Sequence, residues 1–190
     1  MKKILCILLL LLTGCSSKTS MIEIQKHVYV EKEFKDSWLE TNEFGDSYIK
    51  EELQGGYHYH FDQQFLEIFF NTGGKIELYN YSIKKNDLII SGEMIPPKTI
   101  RLVHPHLDNV TSEGGIIHEL GHYFDEKHQF SSSKQFTELY KKYRTLFNQK
   151  TKKEYFAECF KEYVGGHQEK VKPFHSYMKT ITQKIRQKNK

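Results

Sequence analysis

The 190 residues suit one domain of ordinary size, and no internal repeat runs through them. The formal net charge is +4, of which Lys2 and Lys3 supply two; without them 26 basic side chains face 24 acidic ones, too even a balance for a nucleic-acid partner. The tail from Lys179 to Lys190 is basic and lacks an acidic residue; it could favour anionic lipid but reads more simply as a solvated end.

Lys2 and Lys3 precede an unbroken apolar run from Ile4 to Leu12. Spanning a bilayer as a helix needs roughly 20 apolar residues, so this run is too short for a permanent membrane helix and has the length of a signal-peptide core. It ends in Leu12-Thr13-Gly14-Cys15, which resembles the bacterial lipobox. That resemblance implies cleavage before Cys15, a diacylglycerol on its thiol, and a protein held at the cell membrane by that lipid, facing outside the cytoplasm. Residues 1–14 are therefore expected to be a lipoprotein signal peptide, 15–22 the lipidated cysteine and a flexible tether, and 23–190 the folded domain. With Cys6 removed and Cys15 acylated, Cys159 stands alone, and no intramolecular disulfide can form.

Within the domain, His27 to Phe34 reads as a strand or the start of a helix. Phe61, Phe65, Ile68 and Phe69 recur at helical spacing and predict a helix over Tyr57 to Asn71, ended by Gly73-Gly74. Lys75 to Tyr81 alternates as a strand; a turn at Lys84 to Asp87 and a second strand over Leu88 to Met94 predict a hairpin. Pro96-Pro97 breaks it, and Lys98 to His104 is a third strand, expected to be the edge along which a peptide substrate lies. The second half reads as helices over Glu113 to Glu126, Ser133 to Asn148 and Lys152 to Val164, with a fourth from Pro173 to about Lys184; Thr111, Ser112 and Ser131 to Ser133 are possible caps. Strands followed by helices make an α+β domain.

His118-Glu119-Leu120-Gly121-His122 lies in the first of these helices. Four residues of separation put both imidazoles on one face, close enough to share an ion. Glu119 sits beside them, where a carboxylate can take the proton of a metal-activated water as general base. Gly121 is expected to keep space open near the metal, and Asp125, sharing a face with His122, is a candidate to orient that ligand. A catalytic zinc takes three protein ligands, and the helix KKEYFAECFKEYV offers Glu154 and Glu158 one turn apart, either of which can be the third. His104 and His106, flanking Pro105, are rival ligands that read more simply as a polar loop; His58 and His60 read as structural or exposed, and Cys159 as packing.

HELGHYFDE followed by EYFAECF resembles the catalytic domain of anthrax lethal factor and the related secreted Pro-Pro endopeptidases, strongly over Gly114 to Glu126 and Lys153 to Tyr163 and only generally elsewhere. The resemblance implies a zincin-like fold, a small sheet followed by a helical half that carries HExxH and a downstream glutamate helix. It implies one zinc ion held by His118, His122 and Glu154, with Glu119 as general base and Glu158 orienting a ligand histidine. The implied activity is a zinc-dependent endopeptidase acting on a peptide or protein. One departure stands out: the family's tyrosine seven residues before the ligand glutamate, an oxyanion stabiliser, is here Phe147, with Tyr143 one turn earlier. That departure keeps a second expectation open, a non-catalytic zinc-binding lipoprotein that binds a partner.

Overall fold

The computed structural model describes residues 20–41, 45–81, 83–85, 88–104, 114–148 and 151–189. The expected signal peptide, Cys15, the tether up to residue 19, His106 and the possible caps Thr111 and Ser112 lie outside the described residues. Within them the domain is α+β. Strands β1 (Met21–Gln25), β2 (Val28–Glu31), β3 (Lys75–Tyr79), β6 (Gly92–Ile95) and β7 (Thr99–Val103) form one mixed sheet in the order β1-β2-β3-β7-β6. β2, β3 and β7 run parallel, and β1 and β6 are antiparallel to their neighbours. Short strands β4 (Ile83–Lys85) and β5 (Leu88–Ile90) pair with each other as a separate two-stranded sheet.

Period-two alternation orients the sheet. Register aligns Val28, Ile76, Ile100 and Met94 in one row and Val30, Leu78, Leu102 and Gly92 in the next. The aliphatic members of β2, β3 and β7 in these rows are fully buried. The row between them reads Glu23, Tyr29, Glu77, Arg101 and Glu93 across all five strands, and Glu77 and Glu93 both pair with Arg101.

Among the described residues the chain forms seven α-helices: α1 (Lys35–Leu39), α2 (Tyr48–Leu53), α3 (Gln64–Asn71), α4 (Gly115–His128), α5 (Lys134–Tyr143), α6 (Lys152–Val164) and α7 (His175–Gln187). The four expected helices of the second half are present, but α5 stops at Tyr143 rather than Asn148, and α7 starts at His175, with Pro173 in a 3-10 turn before it. Ser133 caps α5 by accepting the Phe136 N–H, and Thr151 caps α6 by accepting the Glu154 N–H. α4 and α6 form the closest-packed helix pair, with Phe65, Phe124, Phe156 and Phe160 meeting beneath them.

Several expectations are corrected. The helix predicted from Tyr57 begins only at Gln64, because the preceding loop has tertiary partners: His60 N–H donates to the Gly165 carbonyl, and the Tyr59 hydroxyl donates to Glu162. The predicted hairpin between Lys75–Tyr81 and Leu88–Met94 does not form. β3 lies parallel to β7, β5 turns back on β4, and the chain breaks at Ser91 before β6 joins β7. The strand over Lys98 to His104 is therefore interior, and β1 and β6 are the edges of the five-stranded sheet. Elements β1, α1 and α2 are too short for periodicity to reveal; Trp38, Ile49 and Leu53 hold the two helices in place by burial.

Candidate metal centre

α4 is preceded by Gly114, whose φ of 75° lies in the left-handed region open to glycine. Its N–H donates to the Gly55 carbonyl and its carbonyl accepts the His118 N–H, both at 2.9 Å, so the first turn is anchored before the histidines are reached. Ile116, Ile117, Leu120 and Phe124 are fully buried and set the core face of the helix. His118 and His122 are left on the side that meets α6.

Helix α6 brings the third group. Thr151-Lys152-Lys153-Glu154 has the sequence of a capping box, and the Thr151 hydroxyl accepts the Glu154 N–H at 3.2 Å. The Glu154 carboxylate, however, turns to the histidines rather than back to the cap. Its Oε2 lies 3.3 Å from His118 Nε2 and 3.3 Å from His122 Nε2, while the two Nε2 atoms are 3.1 Å apart. Bonds of about 2.0–2.1 Å to a tetrahedral ion would put ligand atoms roughly 3.3 Å apart. The triangle therefore fits one face of such a site as it stands, and His118, His122 and Glu154 can hold a metal ion. Two imidazoles with one carboxylate suit a borderline transition metal; Ca²⁺ and Mg²⁺ call for oxygen ligands.

Glu158, one turn beyond Glu154, places Oε2 3.3 Å from His118 Nδ1. Both ring nitrogens of His118 are thus committed, Nδ1 to Glu158 and Nε2 to the triangle, which fixes the ring's orientation. Burial works against charge on His118, but its hydrogen bonds to Glu154 and Glu158 outweigh burial and push its pKa up to about 9. The two imidazoles hold the Glu154 carboxyl well below the usual carboxylate range. Glu158 is raised by burial but lowered more by His118 and Lys161, so it too stays ionised. In the metal-free protein a proton on His118 thus supplies positive charge that the surrounding carboxylates favour.

One expected result follows from that proton. Metal must displace it, so below pH about 9 the apparent affinity should fall about tenfold per pH unit, and above it should level off. Chelator competition from pH 6.5 to 9.5 reads this directly; a flat profile refutes it. The sign for the metal-free fold is opposite. The raised His118 pKa stabilises it fully below the ordinary imidazole value of 6.5, and that contribution is lost as pH rises through about 9.

Glu119 is buried and accepts a hydrogen bond from the backbone N–H of Met94 on β6. Burial is the main influence on it and raises its pKa. The contact is a consequence of sheet register. Val103 N–H bonds the Ser91 carbonyl, so by antiparallel alternation the backbone polar groups of Gly92 and Met94 face outward from the sheet edge. A Cβ at Gly92 would meet β7 more tightly than it would meet Glu119: 3.1 Å from Leu102 Cδ2 and 3.2 Å from the Arg101 carbonyl oxygen, against 3.4 Å from Glu119 Cγ.

Two site expectations are corrected. Asp125 does not orient His122. Its carboxylate oxygens accept the backbone N–H and hydroxyl of Ser131, each at 2.6 Å, and so secure the turn after α4. Gly121 does not open space for the metal. A Cβ at 121 would lie 2.9 Å from Ala157 Cα and 3.2 Å from Phe160 Cβ, so the glycine lets α4 and α6 approach until Glu154 reaches the histidines. Gly121→Ala sets a gain of about 1 kcal/mol in helix propensity against about 1–3 kcal/mol of overpacking. The expected outcome is a modest loss of thermal stability together with weaker metal binding; unchanged metal affinity would refute the packing role.

Among the described residues, no other histidine is in the cluster. His104 lies buried between Trp38 and Tyr48, with Nε2 3.3 Å from the Ser37 carbonyl oxygen. Burial pushes the Cys159 thiol pKa upward, in keeping with a packing role. Phe147 packs on Tyr155; the Tyr143 ring rests on Phe174 and its carbonyl accepts the Tyr155 hydroxyl. A surface hollow lined by His128, Gln129, Phe130, Ser133, Lys184 and Lys188 contains none of the clustered residues. Sequence reasoning missed Met94, whose role rests on a backbone group, and Lys161, which binds Glu158 at 2.7 Å and carries an i,i+3 spacing as its only signal. Searches against protein-family models and against curated proteins find no match to the chain.

Proposed function

We propose that the chain is a zinc-dependent endopeptidase of the lethal-factor-like group, zincin-like in fold, and anchored to the outer face of the cell membrane through a lipid on Cys15. The observation that carries the reading is the triangle of His118 Nε2, His122 Nε2 and Glu154 Oε2, 3.1–3.3 Å on a side, with Glu119 beside it on the same helix. Mere metal binding does not require Glu119.

A zinc ion held there would supply the Lewis acidity that lowers the pKa of water from about 15.7 to about 7. The protein's own groups do the rest. Glu119 takes a proton from the attacking water on its carboxylate and passes it to the leaving amine. Glu158 holds His118 through Nδ1, and Glu154 balances the charge of the site. A substrate in extended form would lie as an added strand along β6, whose outward backbone groups are adjacent to Glu119. The test is metal analysis of the purified protein followed by cleavage of a broad peptide library that includes proline-rich members. A protein that holds zinc and cuts nothing would refute the peptidase reading.

One observation favours a zinc-binding lipoprotein without catalysis. Phe147, where the family it resembles has a tyrosine, has no hydroxyl and packs on Tyr155. Under that reading the Phe147→Tyr variant would be the natural one to acquire activity.

No helix among the described residues is long and apolar enough to cross a membrane, and the proposed anchor requires none. Cys15→Ala is expected to lose fatty-acid label and leave the membrane fraction. A variant that stays in the membrane and still carries label would refute the anchor.

A further inference from the structure

We propose that Lys161 is a positioning residue of the metal centre: it holds the second oxygen of Glu158, so that Glu158 stays on His118 and does not swing in as a ligand. The inference rests on the reading of His118, His122 and Glu154 as the ligand set.

Glu158 divides its two oxygens. Oε2 lies 3.3 Å from His118 Nδ1, and Oε1 lies 2.7 Å from Lys161 Nζ. Glu154 and Glu158 are the same residue type one helical turn apart, and a carboxylate with an unengaged oxygen is a competent ligand for the same ion. What distinguishes the two is their partners. Among the described residues the Glu154 carboxylate pairs with the imidazoles alone, whereas Glu158 must break a short charge-assisted hydrogen bond before its second oxygen is released.

Lys161 is itself held for this task. Its side chain is 16% exposed, and its stem passes over Gly114, where a Cβ would lie 2.8 Å from Lys161 Cδ. The ammonium lies 5.9 Å from the centre of the Tyr59 ring. Glu162, the other carboxylate in reach, is 3.9 Å away and is already engaged by the Tyr59 hydroxyl, His167 Nδ1 and Lys170. Lys161 is thus directed to Glu158. The same glycine that starts the metal helix makes room for the lysine that restrains the histidine's partner.

The test is zinc affinity of the purified full-length protein by chelator competition, with thermal melting of the metal-free form alongside. Lys161→Met should weaken zinc about tenfold, because a Glu158 that is no longer held leaves His118 Nδ1 without its partner, and tenfold is the lower end for loss of an outer partner of a ligand. Lys161→Arg should bind within a few-fold of wild type. The deciding arm is the double variant. In a Glu158→Gln background the oxygen no longer carries charge, so adding Lys161→Met should cost less than twofold; a general packing role would cost the same in both backgrounds. If Lys161→Met does not fold, Lys161→Gln replaces it in both arms, keeping a donor and removing the charge. Wild-type affinity in the single variant, or an undiminished loss in the Glu158→Gln background, overturns the proposal. A wild-type protein that holds no zinc would refute the ligand reading itself, which separates the two failures.

Discussion

Glu119→Gln is expected to retain zinc and fold while losing peptide cleavage by a factor of about 10²–10⁴, the usual contribution of general acid–base catalysis. The amide is nearly isosteric with the carboxylate, and its carbonyl oxygen can still accept the Met94 N–H, so the packing between α4 and β6 has reason to survive. What it cannot do is take a proton from water at neutral pH. Glu119 is buried, so no bulk carboxylate replaces it. The comparison requires equal metal content in both proteins and a substrate found with wild type. It also separates the two readings: a peptidase is active as wild type and inactive as Glu119→Gln, whereas a non-catalytic zinc protein is inactive in both and keeps its partner. A Glu119→Gln protein that cleaves at the wild-type rate would refute the general-base assignment.

The second large effect is on metal itself. His118→Ala combined with His122→Ala should reduce bound zinc from about one per chain to none, because a lone carboxylate does not hold the ion. The two glutamates should separate in the same assay. Glu154→Ala removes an oxygen 3.3 Å from both imidazoles, whereas Glu158→Ala removes only the partner of His118 Nδ1. Loss of such an outer partner typically costs 10–100-fold in metal affinity, and loss of a ligand should exceed that. Full zinc content in the double histidine variant would mean the site is elsewhere. A larger loss for Glu158→Ala than for Glu154→Ala would reverse the two assignments.

The four helices of the second half were legible because apolar residues recur in them at helical spacing and Ser133 offers a side-chain cap that the structure uses; the cap of α6, Thr151, was read only from the structure. The i,i+4 histidines were legible for the same reason, since a helix alone brings them together. Strand pairing was not. The residues of β3, β5, β6 and β7 read as strands, but alternation says which face a side chain takes and not which neighbour a strand chooses. Proximity in sequence suggested a hairpin where a parallel pairing of β3 with β7 exists. The edge of the sheet was misplaced as a result.

Local chemistry in the sequence thus determined an α+β chain with two imidazoles on one helix and two carboxylates on another. Tertiary structure alone decided which carboxylate faces which nitrogen. Glu154 and Glu158 are equivalent by spacing, and they differ only because Gly121 lets α6 approach α4 at Ala157, while Lys161 occupies the second oxygen of Glu158. Asp125 shared the helical periodicity of a ligand's partner, yet Ser131, six residues on, engages both its oxygens. The physical reason is common to these cases. Helical periodicity fixes direction around one axis, whereas ligation, orientation and edge position depend on contacts between elements distant in sequence, set by packing and by the hydrogen bonds that buried groups must find.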